Sequence, residues 1–170
     1  MSKQYEVIAN RWLNGGKELN NTRLYYRDDI LYSYGKHYIM ARKVPTIAKD
    51  IILINNKKNS ATTNKQKSIV IDEIRSSNIG EYYFYVPSPG ESIEVNIELL
   101  WVELDRAIDT AKNHMIKANL LALQESQHQY NRLNMFAGRT DGARINMECR
   151  ALFEKYNSSH RVFEKIWERR

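Results

Sequence analysis

Side chains able to bind or react with a ligand are concentrated in two segments of the first half of the chain. Residues 31–37 read Leu-Tyr-Ser-Tyr-Gly-Lys-His, and residues 59–67 read Asn-Ser-Ala-Thr-Thr-Asn-Lys-Gln-Lys. Tyrosine rings beside cations on a small sheet can hold unpaired bases, because the rings stack on the bases while the cations neutralise phosphates. Hydroxyls, amides and lysines at the start of a helix can instead hold a phosphate group. Both segments therefore indicate binding chemistry.

The positive charge of the protein lies in this same region. Residues 36–67 contain eight basic side chains and one acidic side chain, whereas the whole chain carries +6; the segment is therefore +7 and the remainder −1. Such a local field raises the concentration of polyanions and speeds their encounter with the protein. A solvated lysine face that keeps the protein soluble is the alternative interpretation. The basic residues of the segment are Lys36, Arg42, Lys43, Lys49, Lys57, Lys58, Lys65 and Lys67.

A predicted aromatic site belongs to the first segment. Nine of the eleven tyrosines fall within the first 85 residues. Tyr32 and Tyr34 should project to one face of a strand because side chains alternate, and Tyr38 follows after a bend at Lys36 and His37. The alternative is that these tyrosines pack the sheet against its helices and keep their hydroxyls at the rim.

A predicted phosphate site belongs to the second segment. Thr63 and Gln66 have the spacing of a capping box, so a helix should begin near Thr63. The first amides of that helix, the Thr62 and Thr63 hydroxyls and the nearby lysines could hold a phosphate, although simple capping would use the same residues. The complete set of residues predicted to bind nucleic acid or a partner is Tyr32, Tyr34, Lys36, His37, Arg42, Lys43, Lys57, Lys58, Thr62, Thr63, Lys65 and Lys67.

Motifs for metal binding, cofactor binding or catalysis are not evident. His114 and His128 would lie about 21 Å apart along one helix and could not share a metal ion, while His37 and His160 are isolated in sequence. Neither nucleotide-binding fingerprint is present with its strand-loop-helix context. The hydroxyls of residues 60–63 have no oxyanion-hole motif or third catalytic group beside them. We therefore expect no metal and no cofactor, and the sequence gives no positive indication of an enzyme.

Composition suits one domain, or a small domain with an appended helical element. The chain has 170 residues, and 42% hydrophobic residues are enough for a packed core. The sequence contains no long uncharged apolar run, so no membrane span is predicted, and the N-terminus has no apolar signal core. Cys149 is the single cysteine, cannot form an internal disulfide and fits a reducing compartment. The expected location is the cytoplasm of the host cell.

The first half, residues 1–87, is predicted to be a basic α+β module. Residues 6–13 favour a short amphipathic helix, although a strand is also possible there. The unbroken apolar run at 51–54 indicates a strand buried on both faces. A helix from Thr63 should separate the last two strands, and the result is a small antiparallel sheet with short helices. The predicted strands are 23–26, 30–34, 38–43, 50–54 and 81–86.

The second half, residues 88–170, is predicted to be helical. Ser88 and Glu91 form a capping box with proline between them, and no strong breaker follows until Gly138, so one long helix should cover most of 89–136. Its apolar positions follow the heptad period and should form a seam for another helix. The predicted interface residues are Ile97, Trp101, Leu104, Ile108 and Met115, and alanines continue the seam at 118 and 122.

Two shorter helices, 144–156 and one after Asn157, should follow as a C-terminal helical hairpin. These helices could fold back on the long helix, or the seam could form a coiled-coil homodimer. The sequence is compatible with both arrangements.

The two segments resemble a family of short phage- and plasmid-encoded proteins of uncharacterised function. The resemblance rests on Leu-Tyr-Ser-Tyr-Gly-x-His at 31–37, Ile-Leu-Ile-Asn at 52–55 and Ser-Ala-Thr-Thr-x-x-Gln at 60–66. Members of that family carry Ser-x-Thr-Thr-Ser followed by His-Gln, whereas this chain has Asn64 for the last serine and Lys65-Gln66 for His-Gln. The resemblance implies a mobile-element origin, and the missing histidine argues against a catalytic motif.

The resemblance, the basic module and the helical half together suggest a phage accessory protein. The leading expectation is an anti-defence inhibitor of the anti-CRISPR type, which binds a host nucleic-acid-processing complex, a host protein or ribonucleoprotein. The alternative is a non-catalytic module that binds single-stranded DNA or RNA directly. An enzyme acting on nucleic acid is third, and no membrane partner is expected.

Overall fold

The computed structural model describes residues 2–19, 23–35, 37–46, 50–77, 82–139 and 142–167. The chain divides into two compact units, Met1–Ser92 and Ile93–Arg170. The first unit contains a five-stranded sheet with helices, and the second contains helices in its described residues. The predicted α+β class is confirmed. No helix in the described part of the chain is both long and apolar enough to cross a membrane.

The first unit is a sheet whose strands lie in sequence order. The first four strands are antiparallel, as predicted, but the fifth joins the fourth in parallel, so the sheet is mixed. Parallel neighbours need a crossover connection, and the helix between these two strands supplies it. The elements are α1 (Ser2–Leu13), β1 (Leu24–Arg27), β2 (Ile30–Ser33), β3 (Ile39–Val44), β4 (Ile51–Asn55), α2 (Ala61–Ser76) and β5 (Tyr83–Val86).

The core of this unit lies between the sheet and the helices α1 and α2. Trp12 of α1 is fully buried, and its indole Nε1 donates to the Asp29 carbonyl at 3.1 Å. Every residue of β4 is buried, which confirms the interpretation of its apolar run. The predicted helix at 6–13 is also confirmed, and it begins at Ser2.

The start of α2 differs from the predicted capping box. Ser60 is the N-cap, and its Oγ accepts from the Thr63 amide. Thr63 is therefore inside the helix, because the serine three residues earlier can satisfy that amide. Gln66 is fully buried and does not cap the helix.

The segment before the second unit is a turn and not a helix start. The Glu91 amide donates to the Ser88 carbonyl at 3.0 Å, and Arg42 Nη1 donates to the Gly90 carbonyl at 2.9 Å. These bonds hold residues 88–91 in a turn beside β3, so the first helix of the second unit begins only at Ile93.

The predicted long helix is two helices, α3 (Ile93–Asn113) and α4 (Lys117–Phe136), packed against each other. The chain leaves the helix at His114, and Ile116 is extended with φ −111° and ψ 155°. The His114 carbonyl accepts from Asn119 Nδ2 at 2.8 Å, which stabilises the turn. Folding back lets α4 cover the apolar seam of α3 within one chain, so a single long helix is the wrong prediction.

The predicted seam is therefore only partly buried. Ile97, Leu104 and Ile108 are buried, whereas Trp101 is 39% exposed. Met115 lies in the connection between α3 and α4, and the alanines at 118 and 122 are exposed. The heptad register ends where the helix ends.

The last helix, α5 (Ala143–Trp167), is continuous where a break was predicted at 157–159. Ser158 Oγ donates to the carbonyls of Glu154 and Lys155, at 3.0 and 2.9 Å. A serine whose hydroxyl bonds back within the helix does not end it. The predicted pair of short C-terminal helices is therefore one helix.

Candidate functional site

The two polar segments singled out in the sequence are in contact in the fold. Ser33 Oγ donates to Gln66 Oε1 at 2.6 Å, and Gln66 Nε2 donates to the Arg23 carbonyl at 3.1 Å. Farther along, Asn59 Nδ2 donates to the Tyr38 hydroxyl. Ser33 and Gln66 therefore connect β2 to α2 through a buried hydrogen bond, and their role is to stabilise the fold. The spacing of Gln66 between the buried positions 63 and 70 of one helix face could have indicated this role.

The predicted aromatic face does not form. Tyr32 lies on β2 and stacks on Tyr25 of β1, with ring centroids 5.1 Å apart and planes at 12°. Tyr34 lies beyond the end of the strand with φ +53°, so the strand alternation does not extend to it. Tyr38 is half-buried against the helix-side core, and this burial raises the pKa of its hydroxyl, while the bond from Asn59 acts in the opposite direction. The three tyrosines therefore occupy three different environments.

Three of the predicted basic residues hold the fold together. Lys43 has a side chain only 12% exposed, 3.8 Å from the Asp29 carboxylate and 6.0 Å from the centre of the Trp12 ring. Arg42 holds the turn at Gly90 through its bond to that carbonyl. Lys67 points inward, toward the loop between β4 and α2. A fourth, Lys36, lies outside the described residues.

Lys67 closes the loop between β4 and α2. Its Nζ donates to the carbonyls of Asn55 at 2.9 Å and Lys57 at 2.7 Å, and burial lowers the pKa of its ammonium group. Asn59 and Asn64 exchange bonds across the same loop, from the Asn59 amide and from Asn64 Nδ2. From the β4 end, Asn55 Oδ1 accepts from the Lys57 amide at 3.0 Å, so side chains at both ends of the loop hold its backbone.

The remaining predicted residues form what we call the basic surface. Its members are exposed, and they lie on this loop, on the adjacent β2–β3 turn or in the first two turns of α2. Thr63 is not a member, because it is buried and bonds to Ser60. The basic surface consists of His37, Lys57, Lys58, Thr62 and Lys65.

Comparison with protein-family models, with curated proteins and with solved structures found no match to this chain.

The basic surface is suited to binding anions. It has two exposed ammonium groups on the loop, those of Lys57 and Lys58, close in sequence to the N-terminus of a sixteen-residue helix whose dipole also favours negative charge. A third ammonium group, that of Lys65, lies on the solvent-facing side of the same helix. Because the loop is held by hydrogen bonds on both sides, little backbone ordering is needed when a ligand binds. Among the residues that the structure describes, no group of three or more His, Cys, Asp or Glu side chains could hold a metal ion.

Proposed function

We propose that this chain is a phage or mobile-element accessory protein that acts by stoichiometric binding. In this proposal it is an anti-defence inhibitor of a host nucleic-acid-processing complex, and its basic surface meets the phosphates of the nucleic acid. The phage origin rests on the sequence resemblance, and the binding mode rests on the arrangement of the lysines.

One observation carries the binding mode. Lys67 is used internally, and its two hydrogen bonds fix the loop that presents Lys57 and Lys58 to solvent. Lys67 therefore holds the loop backbone from the protein side, while Lys57 and Lys58 stay exposed. Lysines in such a position act as point charges toward phosphate oxygens and give affinity without sequence readout.

Direct binding is tested with fluorescently labelled 20-nucleotide DNA and RNA, single- and double-stranded, across a salt series. We expect binding at low salt that weakens linearly on a log–log plot as salt is raised. The double variant Lys57→Glu, Lys58→Glu should lose about tenfold or more in affinity at low salt. Lys3→Glu with Lys17→Glu, an equal charge change at exposed positions of the same unit, is the matched control.

Inhibition is tested by pull-down from host lysate with and without nuclease. The proposal expects capture of a nucleic-acid-processing complex that depends on Lys57 and Lys58. Capture that is unchanged in the double variant would contradict the assigned role of the basic surface.

Single-stranded nucleic-acid binding without a protein partner is the second candidate. The observation that favours it is Tyr34, whose side chain is 49% exposed beside Gly35 in a turn. An exposed ring can stack on an unpaired base, and such contacts contribute about 1–3 kcal/mol each. A Tyr34→Leu variant that loses affinity for single strands but not for duplex would support this candidate.

A further inference from the structure

A second surface, of opposite charge, lies within the helical unit. It is a groove of about 460 Å³, a volume within the range of ligand pockets. Helix α3 forms one side, α5 another, and the turn after α4 contributes the last residue. We call it the acidic groove; its lining is Ile97, Glu98, Trp101 and Asp105 from α3, Arg139 from the turn, and Ile145 and Glu148 from α5.

The chemistry of the groove is concentrated on one face of α3. Glu98, Trp101 and Asp105 are spaced by three and four residues, so the indole lies between the two carboxylates along the helix surface. Trp101 is 39% exposed, and its ring contacts that of Tyr130 at 5.9 Å between centroids. An aromatic side chain that is accessible on one side and packed against another ring on the other side is a common element of binding sites.

The charges of the groove are unbalanced. Its lining has three carboxylates and one guanidinium. Glu148 accepts from Lys112 at 2.6 Å and is the main reason that the pKa of this lysine is raised, with a smaller contribution from Asp105. Neither Glu98 nor Asp105 forms an ion pair with any residue that the structure describes. Two carboxylates beside an indole are therefore available to a cation from outside.

A guanidinium group fits these three side chains better than other cations. It can stack on an indole face while its N–H groups bond a carboxylate in two-point geometry, and lysine lacks this planar fork. The apolar walls, Ile97 and Ile145, are suited to the methylene stem of the same side chain. A metal ion is not favoured, because no described cluster has three suitable ligands.

We propose that the acidic groove binds an arginine side chain carried by a basic segment of a partner protein. This goes beyond the proposed function, because it gives the helical unit a ligand of stated chemistry that is independent of the basic surface. The charge of the groove selects the partner, and the indole selects arginine over lysine.

The test uses the full chain and two fluorescein-labelled peptides, Gly-Arg-Gly-Arg-Gly and Gly-Lys-Gly-Lys-Gly, in fluorescence anisotropy at low salt. We expect the arginine peptide to bind at least several-fold tighter than the lysine peptide. The double variant Glu98→Gln, Asp105→Asn should weaken the arginine peptide by about tenfold or more. Trp101→Leu should reduce the preference for arginine, and Trp101→Phe should restore part of it.

Glu125→Gln with Glu154→Gln is the matched control, since it also removes two exposed carboxylates of the helical unit, both outside the groove, and keeps oxygens that can accept from Gln129 and Arg150. It should leave peptide affinity unchanged.

The Lys57→Glu, Lys58→Glu chain should bind both peptides more tightly at low salt because its net positive charge is smaller, but it should keep the preference for the arginine peptide, and this separates the inference from the proposed function. Circular dichroism confirms that each variant is folded. Equal binding of both peptides, unchanged binding by the double variant, or no binding to the intact chain would overturn the proposal. The proposal would also be overturned if light scattering showed that the intact chain self-associates and that the groove variants do not, because the occupant of the groove would then be a second copy of this chain.

Discussion

Lys65 and Lys67 are two residues apart on α2, and their substitution separates structure from binding. Lys67 Nζ makes two hydrogen bonds to loop carbonyls, at 2.9 and 2.7 Å, whereas the Lys65 side chain is exposed. Replacing either by methionine removes one positive charge and keeps a long side chain. We expect Lys67→Met to destabilise the protein and Lys65→Met to weaken polyanion binding alone.

The magnitude for Lys67 follows from its surroundings. A hydrogen bond from a charged donor contributes about 1.5–3 kcal/mol when buried. Lys67 is only half-buried, and water can reach the Lys57 carbonyl, so the free energy of unfolding should fall by about 1–2 kcal/mol for both bonds together. For a chain of this length that corresponds to roughly 2–8 °C in the melting temperature.

The assay combines urea unfolding with amide hydrogen exchange. In the Lys67→Met chain the amides of Lys57 and Asn59, which donate to Asn55 and Asn64 side chains, should exchange faster. In the Lys65→Met chain stability should change by less than about 0.5 kcal/mol, while the slope of the log–log salt plot should fall by about 0.7–0.9 for each phosphate that is no longer neutralised. Equal stability of the two variants would refute the assignment of Lys67 as the residue that closes the loop.

Three further outcomes are expected. In urea titrations, Gln66→Ala should lower the free energy of unfolding by about 2–4 kcal/mol, because the Ser33 hydroxyl and the Arg23 carbonyl lose a buried partner. Ser33→Ala should lower the stability of the Gln66→Ala chain by less than it lowers the stability of the unsubstituted chain, because the bond between the two side chains is already lost. Ser60→Ala should cost about 1 kcal/mol in the same assay through loss of the N-cap. Burial raises the pKa of the Cys149 thiol from 9.0 to about 11, so as the pH rises the unfolded chain loses the thiol proton before the folded chain does. The free energy of unfolding should therefore fall between about pH 9 and 11, and it should fall less in Cys149→Ala.

Elements governed by local pattern were predictable from the sequence. The apolar run of β4 and the amphipathic face of α1 were recognised because each hydrophobic pattern is contained within the residues of its own element. The break at His114 was not, because the heptad pattern is the same whether the partner is a second chain or the next helix of the same chain. Tertiary bonds also decided the start of α3, since nothing local to Ser88 indicates the contact between Arg42 and Gly90.

The candidate site was predictable in location but not in detail. Counting charges placed it near α2, yet Lys65 and Lys67 lie about 200° apart around a helix at 100° per residue, so one faces solvent while the other reaches inward. Which lysine does so depends on where the β4–α2 loop passes, and sequence spacing alone does not contain that information. The acidic groove was missed for the same reason, because α5 contributes Ile145 and Glu148 from far along the chain.

The two border strands of the sheet, β1 and β5, are each four residues long. An incoming extended peptide would find only a few backbone groups to pair with on either one, and short borders of this kind protect a protein against edge-to-edge aggregation. Recognition by strand addition is therefore disfavoured for this fold. Its partners should be chosen by side chains, and point substitutions on the surface should be enough to change them.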